Sequence, residues 1–148
     1  MQRLLELIGA ISSPHLDTST VRLSAPSPSG FKANTIVTIQ GKLFSGVYLR
    51  RLFRYNRFDL EAIRKRVIAW DNHTNTKSLL AEINKTPLVT YSIEKDGQLN
   101  YRHGYLLEQD IVNETFSVNP GQTLELKITA NPSSYFFKGA LSVQVVRA

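Results

Sequence analysis

A chain of 148 residues with 42% apolar and 20% charged side chains is long enough to bury its own core and lacks the charge excess of a disordered polymer. It has no cysteine, which excludes disulfides, thiolate catalysis and Cys-ligated zinc or iron–sulfur centres. The net charge of +6 is local: residues 49–66, LRRLFRYNRFDLEAIRKR, hold seven of the eighteen Lys and Arg residues, and elsewhere eleven basic residues face ten acidic ones.

At the amino-terminal end QRLLELI places Leu4, Leu5 and Ile8 on one helical face, and Gly9 follows as a stop. Glu6 interrupts the apolar run, no small-residue cleavage site follows, and the run is too short to cross a bilayer, so neither a signal peptide nor a membrane partner is expected. SSPHLDTST reads as a turn. VRLSAP then alternates Val21, Leu23 and Ala25 with Arg22 and Ser24 as a strand does, PSPSG is expected to break the chain, and the β-branched NTIVTIQGK suits a strand covered on both faces.

Periodicity alone fits residues 49–66 to a strand or to a helix. Gly46 and the aromatic content favour a strand through about Tyr55, with Val47, Leu49, Phe53 and Tyr55 on one face and Arg50, Leu52, Arg54 and Asn56 on the other. A turn at NRFD, a helical turn in DLEAIRKR and a short strand VIAW follow. NTKSLLAEINK has an Asn/Thr cap before Leu79, Leu80 and Ile83 at helical spacing, and Pro87 stops it. Asp96-Gly97 marks a hairpin between apolar runs. TLELKITA sends Leu124, Leu126, Ile128 and Ala130 to one face, and GALSVQVVRA does the same with Leu141, Val143 and Val145. Together these predict an α+β, mostly β chain: an antiparallel, Ig-like β-sandwich with two short helices, in a single domain over 1–148. LLELI, NTIVTI and LFSGVYLRRL are echoed in the same order by LLAEI, QTLELKI and FFKGALSVQV, which suggests two diverged half-repeats, about 1–70 and 71–148.

Chemistry-bearing patterns are sparse. His15, His73 and His103 have no ligand spacing, Asp71-Asn72-His73 reads as a polar turn, and no G-x-S-x-G, P-loop or G-x-G-x-x-G occurs. Asp59 with Glu61 and Glu108 with Asp110 are close carboxylate pairs, but their polar contexts offer no reason for one member to be raised in pKa; Asp59 reads as a turn residue paired with a neighbouring arginine. Three N-x-T triplets, at Asn72, Asn84 and Asn113, carry no weight without an export signal. No enzyme, cofactor or metal is expected. The basic stretch has the composition of a nucleic-acid surface, yet strand alternation would turn Phe53 and Tyr55 away from Arg50 and Arg54, and a stacking platform needs both on one side. A carbohydrate module using Trp70 and Tyr105 as platforms is a further alternative.

The order LLELI, VRLSAP, NTIVTI, FSG, RYNRFDL, LLAEIN and ITANPSSYFFKGALSVQV resembles a family of tailed-bacteriophage virion proteins built from small helix-plus-β-sandwich modules. Tyr55-Asn56-Arg57 with Asp59-Leu60, and the pattern A-x-P-x-S-x-x-x-x-G-x-x-x-V from Ala130, carry the resemblance most. It implies a virion component of head, neck or tail, assembled in the host cytoplasm and working by subunit–subunit binding, with other virion proteins and copies of itself as partners. On that reading Arg50, Arg54, Arg57, Arg64, Lys65 and Arg66 are the candidate contacts to an acidic neighbouring subunit.

Overall fold

A computed structural model describes residues 3–5, 8, 18–30, 33–43, 45–46 and 50–148. The chain is α+β and mostly β, with short helical turns and several small sheets in which most strand pairs are antiparallel. It forms two compact units, Met1–Arg57 with Tyr91–Arg102, and Phe58–Thr90 with His103–Ala148. Val47 to Leu49, His15, Gly9 and the residues of the expected turn before Thr18 lie outside the described residues.

In the first unit residues 3–5 and 8 are helical, and Leu4, Leu5 and Ile8 are buried, as their spacing requires. The sheet is centred on β3 (Thr35–Gly41), with β1 (Val21–Leu23) and β2 (Ser27–Pro28) antiparallel to one edge and β4 (Arg50–Tyr55) antiparallel to the other. Thr35, Val37 and Ile39 point inward and are buried, while the residues between them are half-buried. PSPSG does not simply break the chain. The Ser24 backbone N–H donates to Thr38 O (3.0 Å) and the Ser24 hydroxyl accepts from Thr38 N (2.9 Å), so the chain kinks through an exposed Ala25 and rejoins β3 as β2. Pro28 is tolerated because an edge strand needs no donor on its outer side.

The second unit begins with β5 (Phe58–Asp59), a 3-10 turn at Leu60–Ala62 and β6 (Arg66–Ala69). Asn75 caps the next helical segment by accepting from Ser78 N (3.0 Å), and Thr76–Leu79 runs into Leu80–Ile83, with Leu79, Leu80 and Ile83 buried. The Asn84 side chain then brackets Leu106, donating to its carbonyl (2.7 Å) and accepting from its N–H (3.1 Å). β7 (Val89–Lys95) and β8 (Gln98–Gly104) form a hairpin whose two-residue turn has positive φ at both Asp96 (52°) and Gly97 (76°), the geometry that Asp-Gly favours. Its base belongs to the second unit and Tyr91–Arg102 to the first.

β9 (Thr123–Thr129), β10 (Phe137–Lys138) and β11 (Ala140–Val146) complete the chain. β11 lies between β9, antiparallel, and β6, parallel, and β10 pairs in parallel with β5. These two parallel pairings depart from the purely antiparallel expectation: each joins strands far apart in sequence, with no local turn to announce them. Leu141, Val143 and Val145 of β11 are fully buried in a core that includes Leu60, Ile68, Leu79, Ile111, Ile128 and Phe137, where each such side chain contributes ~1.5–3 kcal/mol. Buried Asp110 is satisfied by Leu107 N (3.0 Å) and the Ser134 hydroxyl (2.7 Å).

Asp59 ties the parallel pair together. Its carboxylate accepts from Glu61 N (3.0 Å), capping the 3-10 turn, and from Lys138 Nζ (2.8 Å), so its partner is a distant lysine rather than the neighbouring arginine expected. The Lys138 ammonium first, and then the Glu61 N–H, hold this carboxyl below its ordinary range. Gly139 follows at φ 75°, and a Cβ there would lie 2.5 Å from Asp59 Oδ1. Gly139→Ala is therefore expected to destabilise the chain by more than about 1 kcal/mol in urea titration. A carboxyl whose folded pKa is depressed contributes stability above its unfolded pKa and loses it as pH falls through the folded value. Asp59→Asn should accordingly lower the urea midpoint at neutral pH, with the gap to the parent chain closing in acid; a gap that persists at low pH would contradict the role of the charge.

Candidate interaction surface

β3 and β4 pair with Val37 opposite Phe53 and Thr35 opposite Tyr55, which turns Phe53 and Tyr55 to the buried side, where their rings stack with centroids 6.0 Å apart. Strand alternation then sends Arg50, Leu52 and Arg54 to the other face, opposite Gln40, Thr38 and Ile36. All three are exposed, Leu52 by 61%. Arg22 on β1 joins them: it is in register with Gln40, which is in turn in register with Arg50, and its guanidinium donates to Gln40 Oε1 (3.0 Å). Three arginines and a leucine thus share one face of a sheet. Among the described residues the side chains of Arg50 and Arg54 have no hydrogen bond or ion pair.

The electrostatic setting is one-signed. Residues 18–57 contain Arg22, Lys32, Lys42, Arg50, Arg51, Arg54 and Arg57 and not one Asp or Glu. Arg50 and Arg54 are four residues apart on one strand, ~13 Å, and Arg22 lies two strands from Arg50, ~10 Å. Such separations exceed the ~8 Å screening length in physiological salt, so mutual repulsion costs little while the face still presents positive charge to a partner.

The other candidates have different surroundings. Arg57 closes the end of the β3–β4 pair: its Nε donates to Thr35 Oγ1 (2.9 Å), its N–H to Asn34 Oδ1 (2.8 Å), and Asn34 Nδ2 returns a bond to its carbonyl (3.1 Å). Arg64, Lys65 and Arg66 belong to the second unit. Lys65 pairs with Glu125 at 2.6 Å, Arg66 donates to the Thr86 hydroxyl and to Pro87 O (3.1 Å), and Arg64 is exposed. Arg51, which sequence reasoning passed over, shares the inward side of β4 with Phe53 opposite Ile39, yet is exposed.

Trp70 is half-buried against the core of the second unit; its indole N–H donates to His73 O (3.2 Å) and the Arg147 guanidinium lies 3.8 Å from its ring centroid. Tyr105 is half-buried. The close carboxylate pairs are divided between structural bonds, Asp59 to Lys138 and Asp110 to Ser134, with Glu108 4.0 Å from Lys77. Among the described residues no group of three or more His, Asp or Glu side chains is placed to hold a metal ion, and no helix is long and apolar enough to cross a membrane.

This division of the arginines has a direct consequence for stability. Arg66→Ala removes two bonds to the Thr86–Pro87 segment and should cost about 1–2 kcal/mol, whereas Arg50→Ala and Arg54→Ala should stay within about 0.5 kcal/mol of the parent chain in urea titration.

Comparison with known proteins adds a family but no function. No curated protein and no solved structure matches the chain. The model of one family, described as a family of unknown function (DUF7941), matches residues 4–148. With the match running over nearly the whole sequence, the chain belongs to that family of unknown function, DUF7941.

Proposed function

We propose that the chain is a non-catalytic structural subunit that acts by binding, with the Arg50–Leu52–Arg54 face of β4 as its working surface and an acidic protein as its partner. The observation that carries this reading is the free state of two arginines on a paired strand, in a forty-residue segment without a single carboxylate. Arginines held by a sheet and left without internal partners are already positioned for carboxylates, so less side-chain freedom is lost on contact than from a loop. Leu52 between them supplies apolar area that a partner can cover.

The resemblance of the Tyr55-Asn56-Arg57, Asp59-Leu60 string and of the Ala130–Val143 pattern to tailed-phage virion proteins supports placing this contact inside a phage particle. The charge of residues 18–57 also suits a phosphate backbone, which makes nucleic acid the second reading. Phe53 and Tyr55 face the other side of the sheet, so such binding would lack base stacking. For the carbohydrate alternative, the contact of Arg147 with the Trp70 ring weighs against an open platform.

The test is incorporation. In particles banded on a density gradient from the host that carries the gene, the chain should be present at fixed copy number, and Arg50→Glu with Arg54→Glu should reduce that number about tenfold or more while the purified variant melts normally. An unchanged copy number would overturn the assigned surface. Absence of the parent chain from particles would overturn the virion placement. Steep, salt-dependent binding of a DNA duplex would bring the second reading forward.

A further inference from the structure

The hairpin carries a second exposed patch, of opposite character to the first. Its two-residue turn sets Lys95 opposite Gln98, which places Glu94 opposite Leu99, Ser92 opposite Tyr101 and Thr90 opposite His103. The contact of 3.3 Å between Thr90 Oγ1 and His103 Nδ1 agrees with that register. One face of the ribbon therefore holds Ser92, Glu94, Leu99 and Tyr101, and all four are exposed, Leu99 by 60% and Tyr101 by 68%. On the other face Tyr91 and Ile93 are half-buried. Leu99 and Tyr101, two residues apart on one strand, give this face an apolar area that a partner can cover.

The charges make the two patches complementary. Glu94 and Asp96 are the only carboxylates among the described residues of the first unit, and they lie beside Leu99 and at the hairpin tip; the hairpin's basic residues are Lys95 and Arg102, and alternation puts Arg102 with Tyr91 on the face away from Leu99 and Tyr101. On β4 an exposed leucine is flanked by two arginines, each ~7 Å along the strand; on the hairpin an exposed leucine has a carboxylate ~5 Å across the ribbon and an aromatic ring ~7 Å along it. Both patches are exposed in the same chain, so neither is covered by the other.

We propose that the acidic partner of the β4 face is the β7–β8 hairpin of a second copy of this chain. Leu99 and Tyr101 cover Leu52, while Glu94 and Asp96 meet Arg50 and Arg54. The inference rests on the reading of that face as a protein contact and names its occupant. Because the two patches differ, the contact is head-to-tail: each copy offers a free hairpin and a free sheet face, and assembly proceeds to a ring or an open string, as a repeating particle component requires.

Complementation of two half-dead chains tests it by light scattering. The parent chain should exceed the mass of one copy in a concentration-dependent way. Arg50→Ser with Arg54→Ser disables the face and leaves the hairpin; Glu94→Gln with Asp96→Asn disables the hairpin charge and leaves the face, Asn being at home in the turn. Each variant alone should associate at least about tenfold more weakly than the parent. Their equimolar mixture should form a 1:1 pair that grows no further, because one working contact remains. A parent chain that stays single at every concentration overturns the inference, as does a mixture without the pair or association that appears only with added DNA duplex. If the parent chain stays single but Arg50→Glu with Arg54→Glu still drops out of particles, the binding reading stands and the face is left to a different acidic protein.

Discussion

The register between β3 and β4 fixes what the first unit shows to its surroundings. With Val37 opposite Phe53, Thr35, Val37 and Ile39 meet Phe53 and Tyr55 on the buried side, and Arg50, Leu52 and Arg54 can only lie outside. A slip of one residue would drive both arginines inward and expose the aromatic pair, exchanging burial worth several kcal/mol for the desolvation of two guanidinium groups. The bonds between Arg57, Asn34 and Thr35 anchor the register at the strand end. The same constraint that builds the small core therefore concentrates positive charge on the opposite face.

The second unit solves a different problem. Its central strand, β11, is buried along Leu141, Val143 and Val145 and takes one neighbour from just before it in the chain and one from far upstream. Parallel pairs need a long connection, and here Lys138 reaches Asp59 across the β10–β5 pair, while Arg66 of β6 fastens the Thr86–Pro87 segment. Basic residues that look alike in sequence are thus divided between fastening the fold and facing solvent.

Local patterns were legible and distant partners were not. The alternation of Leu124, Leu126 and Ile128, the helical spacing of Leu79, Leu80 and Ile83, and the Asp96-Gly97 turn each rest on a few adjacent residues, and the structure follows them. Gly46 and the aromatic content also predict the strand through Tyr55, and its register turns Phe53 and Tyr55 from Arg50 and Arg54. Asp59 reads as a turn residue paired with a neighbouring arginine, but its partner is a lysine 79 positions away that leaves no mark nearby. Ser27-Pro28 reads as a break because a proline cannot donate, and only the pairing shows that its donor is not needed. Arg57 and Arg66 stand with Arg50 and Arg54 among the contacts that the resemblance implies; the hydrogen bonds that separate them are tertiary. The exposed Leu99 and Tyr101 stood in a recognised hairpin, whose outward face no sequence pattern marked.

On the proposed reading, the Arg50–Leu52–Arg54 face of one copy meets the hairpin patch of Glu94, Asp96, Leu99 and Tyr101 of the next. Arginine footprinting tests this central claim most directly: phenylglyoxal labelling read by mass spectrometry, on the assembled sample and on a dilution where light scattering finds single chains. The account predicts that Arg50 and Arg54 are protected in the assembly while the exposed Arg64 labels equally in both. Equal labelling of Arg50 and Arg54 in the two samples, with the assembly intact, would contradict it.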